Sequence, residues 1–99
     1  MFGFLKRNKK PINAPKKITY EVVSDALYHW YMEGLSYERT EHEILRLRKV
    51  YEHCAELVQK MAHETPLPTF GLINEVIERM RMLGQDPWYF MSDIQKMME

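Results

Sequence analysis

The sequence predicts an all-α protein: a small three- to four-helix bundle around one long central helix, preceded by a basic, flexible N-terminal arm. Three observations predict it. From Tyr37 to Ala62 one stripe recurs in alternating steps of three and four residues: Tyr37, Thr40, Ile44, Leu47, Tyr51, Cys54, Val58, Met61. That is the spacing of a helix that buries one face. Helix-ending residues (Gly34, Pro66, Pro68, Gly84) fall between the apolar-periodic segments and not inside them. Finally, 45% hydrophobic and 12% aromatic residues over 99 positions supply one core and argue against a disordered chain.

The arm comes first. Residues 1–17 contain Lys6, Arg7, Lys9, Lys10, Lys16 and Lys17 and no acid, with Pro11 and Pro15 breaking any helix. The formal net charge of zero therefore hides a basic arm on a body, residues 18–99, of net charge −6. Phe2, Phe4 and Leu5 form an apolar tip.

Helix one is expected from Thr19, a good N-cap, with Glu21 in the first turn. Val22, Val23, Ala26, Leu27, Trp30 and Tyr31 make its apolar face. Gly34 fits the left-handed position that stops a helix. Tyr20, Tyr28, Trp30 and Tyr31 are more large rings than one face hides, so some are expected to meet a partner or line a shallow pocket.

The long helix is expected to be capped by Ser36, with Thr40 and Glu43 offering a second capping box one turn later. A rod over 37–62 would be about 40 Å long. The short link makes helices one and two an antiparallel hairpin. Arg39, Arg46, Lys49, His53 and Lys60 read as its solvated outer face. Pro66 and Pro68 force an extended corner. Thr69 caps helix three, with Ile73, Val76, Ile77, Met80 and Leu83 on one face and Glu75–Arg79 as an i,i+4 pair. Gly84 stops it. Asp86-Pro87 is a strong start for a last helix, and Ser92 with Gln95 offers a restart.

Several chemistries fail on spacing. His42-Glu43 begins like the zinc-protease motif, but Arg46 stands where its second histidine belongs. The residues three before the four histidines are Ala26, Arg39, Val50 and Lys60, so no Glu-x-x-His di-iron motif exists. Cys54 sits on the buried stripe and is expected to be inert. No glycine-rich phosphate loop is present, and Glu75 and Glu78 on helix three oppose DNA reading. One cysteine and no spanning apolar run lead to an expectation of a mature, cytoplasmic protein.

The expected function is therefore non-enzymatic, without cofactor or metal. It is that of a helical interaction or adaptor protein, acting through protein–protein binding as a homo-oligomer. Tyr28, Trp30, Tyr31, Trp88, Tyr89, Phe90, Met91, Met97 and Met98 are the expected contact residues, since aromatic and methionine side chains are overused on adaptable surfaces. Two alternatives use the arm. Its six cations suit a nucleic acid, a nucleotide or another anionic ligand. With Phe2, Phe4 and Leu5 they also suit an anionic membrane surface.

Overall fold

The computed structural model describes residues 18–38 and 40–98. These form four helices: α1 (Tyr20–Leu35), α2 (Glu41–Glu64), α3 (Phe70–Met82) and α4 (Trp88–Met98). No strand occurs among the described residues. The arm and its expected flexibility lie outside them.

Each helix begins where a side chain can take up an orphan N–H. Thr19 accepts from the Val22 amide and Thr69 from the Leu72 amide, each at 3.2 Å. Thr40 and Glu43 form a reciprocal capping box, both bonds being 3.1 Å. This second box fixes the start of α2, so the long helix opens at Glu41 and not after Ser36. The reason is local. Residues 36 and 37 continue the turn that closes α1, their amides donating to the Glu33 and Gly34 carbonyls. Tyr37 is consequently 67% exposed and leaves the stripe to which the periodicity assigned it. The rod then runs 24 residues, about 36 Å, and stops at the extended Thr65 before the prolines.

The two helix-stop glycines behave differently. Gly84 has φ +83°, and the Gln85 amide reaches back to the Met80 carbonyl at 2.8 Å, a Schellman closure. Gly34 does not end α1, which continues to Leu35. Its role is contact instead: a Cβ there would lie 2.8 Å from Leu47 Cδ2. A side chain at this position would push against a leucine that is only 1% exposed.

α1 and α2 pack antiparallel. Gly34 meets Leu47 and Tyr31 stacks on Tyr51, while Tyr20 reaches Met61 and Thr65 near the far end of α2. α4 packs mainly on α1, and α3 mainly on α2. The packing centre is thus shared by two helices and does not belong to the long one alone. Leu27, Leu47, Cys54, Val76, Met80 and Phe90 are among the buried side chains that join all four helices in one cluster. No polar or charged residue is buried among the described residues. The Ser92 restart does not occur; α4 is continuous.

Candidate functional site: an acidic, aromatic cleft

Three chain corners meet at one end of the α1–α2 hairpin. They are the last turn of α1, residues 37 and 38 just after it, and the link from α3 to α4. Between them lies an open cleft of about 280 Å³. Its floor is apolar: Trp30 and Leu47 line it and are 4% and 1% exposed. The Trp30 indole N–H donates to the Asp86 backbone carbonyl at 2.9 Å, fixing the α3–α4 link over α1. Asp86 also caps α4, its carboxylate accepting from the Trp88 amide at 2.9 Å. That cap directs Trp88 outward, where it stays 66% exposed and meets Tyr89 edge-on at 6.5 Å. Tyr37 is the other exposed ring.

The charges in the described lining have one sign. Glu33, Glu38 and Asp86 contribute, and among the described residues no lining residue is cationic. The Tyr37 phenol is raised above its ordinary range, first by its hydrogen bond to Glu33 and next by that carboxylate's charge. Arg46 places its guanidinium beside Gly84, close to the link, but does not line the cleft.

Carboxylates beside exposed aromatic faces attract cations. A Lys or Arg head over Tyr or Trp gains from the ring quadrupole as well as from the acid. The volume is slightly below the usual range for small-molecule pockets, about 300–1,000 Å³.

The expected contact residues divide sharply. Trp30 and Phe90 are 4% and 0% exposed, so both are core residues and unavailable to a partner outside the cleft. The reason is their position on the inward faces of α1 and α4, and for Trp30 the backbone carbonyl that takes its N–H. Tyr31 is half-buried and stacked on Tyr51, with ring centroids 4.5 Å apart. Tyr89, Met97 and Met98 are partly buried against the core, which ties down the C-terminal helix. Tyr28, Trp88 and Met91 are the ones left open, at 50%, 66% and 42%. Lys6, Arg7, Lys9, Lys10, Lys16, Lys17, Phe2, Phe4 and Leu5 lie outside the described residues.

Sequence reasoning missed Tyr37, Glu33 and Asp86 as site residues. The signal was present: with Thr40–Glu43 as the cap, Tyr37 falls in a turn, next to the end of an aromatic helix.

Other chemistry is sparse. Cys54 is buried, and burial pushes its thiol up to about 11, the charge of Arg79 opposing. His29 Nδ1 meets Asp93 Oδ2 at 2.7 Å, and Arg79 donates to His53 Nε2 at 2.7 Å; each links two helices. Arg79 also pairs with Glu75 at 3.1 Å, as the i,i+4 spacing predicts. Among the described residues no group of three or more His, Cys, Asp or Glu side chains converges as metal ligands would. No described helix is long and apolar enough to cross a membrane. Comparison with protein-family models, curated proteins and solved structures finds no match.

Proposed function

We propose that the protein is a non-enzymatic helical interaction module that works by protein–protein binding, as a homo-oligomer. The observation that carries this reading is the cleft at the end of the α1–α2 hairpin, where exposed rings stand beside carboxylates. Such a surface recognises a basic or aromatic segment of another protein through cation–π contact and charge. Further apolar exposure supports self-association: Tyr28 and Met32 on α1 and Met91 on α4 are all more than 40% exposed. A bundle this small gains stability by covering such groups. The cleft carboxylates repel phosphate, so any binding of nucleic acid or an anionic ligand falls to the arm lysines and Arg7.

The test is the mass of the native particle by light scattering, for wild type and for Trp88→Ala. An oligomer in the wild type that weakens in Trp88→Ala supports the reading. A strictly monomeric wild type overturns the homo-oligomer. An oligomer indifferent to Trp88 removes the cleft from the contact.

A further inference from the structure

The described lining of the cleft sets carboxylates beside exposed rings, and the chain itself carries a cationic segment outside the described residues. We propose that the free protein's cleft is occupied by its own N-terminal arm, with arm cations lying against the Trp88 and Tyr37 rings and the Glu33 and Asp86 carboxylates. The proposal rests on the cleft being the binding surface and adds what fills it before a partner arrives.

Charge, chemistry and reach argue for this occupant. The arm has six cations and no acid, while the rest of the chain has net charge −6. Among the described residues the lining carries Glu33 and Asp86 and no lysine or arginine. Phe2, Phe4 and Leu5 add apolar groups to the same segment, which suits a cleft with an apolar floor. The arm joins α1 at its start, and the cleft lies at the other end of α1. From Tyr20 to Glu33 the helix covers about 20 Å. An extended chain covers that in about six residues. By chain length alone, Lys10, Lys9, Arg7 and Lys6 are separated from Tyr20 by enough residues to span that distance, whereas Lys16 and Lys17 are not. Tethering also gives the arm an effective concentration of about millimolar for a short linker. A segment on another molecule reaches that only in concentrated solution.

The experiment uses the full chain. Asn8→Cys is labelled with a nitroxide; buried Cys54, with its thiol raised to about 11, stays unlabelled. Nuclear magnetic resonance then reads the two indole N–H signals, Trp30 and Trp88. Both are expected to lose intensity at every protein concentration and to recover at high salt, because the screening length shrinks. Recovery is also expected on replacing Lys6, Arg7, Lys9 and Lys10 by alanine, but not on replacing Lys16 and Lys17. Glu33→Gln with Asp86→Asn should restore the signals while keeping the helix cap, since asparagine caps as well as aspartate. Undiminished indole signals in the labelled wild type overturn the proposal. So does a loss that grows with protein concentration, which would assign the cleft to the arm of a second copy. Undiminished signals with a Trp88-dependent oligomer would sink the occupant alone. The same signals with a monomer would sink the reading of the cleft as well.

Discussion

The two ends of the α1–α2 hairpin are both aromatic, yet they are finished in opposite ways. At one end Tyr20 turns its hydroxyl onto the Met61 carbonyl at 3.0 Å and onto the Thr65 hydroxyl. Ring and polar tip are both satisfied within the chain. At the other end Tyr37 and Trp88 stand 67% and 66% exposed around a cleft. The difference comes from where α2 begins and ends. At its C-terminus the extended Thr65 folds over Tyr20 before the prolines. At its N-terminus the Thr40–Glu43 box withholds a turn of helix that would have carried Tyr37 into the core stripe. A ring that the chain covers and anchors by its hydroxyl on the neighbouring helix, as Tyr20 is, is doing structural duty. One held open beside carboxylates is available for recognition.

The largest expected effect tests that contrast inside one helix. Phe90→Ala removes a fully buried ring shared by the core and should cost about 3–5 kcal/mol. Trp88→Ala, two residues earlier, should cost less than about 1 kcal/mol in the folding of the protomer. Urea unfolding measures both, and equal losses would erase the distinction between sealed and open.

Next comes the sealed middle, read through Cys54. Its folded thiol titrates near 11 against an ordinary value of 9.0, because burial disfavours the thiolate. Above pH 9 the unfolded chain therefore releases this proton first. The native state holds more protons than the unfolded one, so stability falls as pH rises from 9 to 11. The loss approaches about 3 kcal/mol at 1.36 kcal/mol per pH unit. Chemical unfolding at pH 8 and at pH 11 should show this extra loss in wild type and not in Cys54→Ala. A parallel decline in the two proteins would mean that the middle is open to solvent.

The smallest effect sharpens the comparison of the two ends. Tyr20→Phe deletes a hydroxyl with two partners and should cost about 1 kcal/mol. Tyr37→Phe, at an exposed site, should stay within about 0.5 kcal/mol. Thermal unfolding of the pair would show whether only the closed end depends on its phenol.

Much of the fold was legible because it is local. Thr19, Thr69 and Asp86 announce helix starts through their own side chains, and Gly84 announces a stop through a backbone angle that other residues avoid. The α2 stripe from Ile44 to Met61 needs nothing beyond its spacing. The site was much less legible. The aromatic excess of α1 was visible, but which rings face outward was not. Trp30 and Trp88 look alike in sequence; the Asp86 backbone carbonyl and the direction of α4 separate them.

By itself, then, the sequence determined an all-helical chain of three to four helices, the caps at Thr19, Thr69 and Asp86, the inward cysteine and the uneven division of charge between arm and body. These follow from side chains acting within a turn or two of their own position. Only the tertiary structure decided that α4 lies on α1, that Gly34 exists for Leu47, and that Glu33, Tyr37, Asp86 and Trp88 share one cleft. Those residues are up to 55 positions apart, and their meeting depends on the joint packing of three helices, which no local preference encodes.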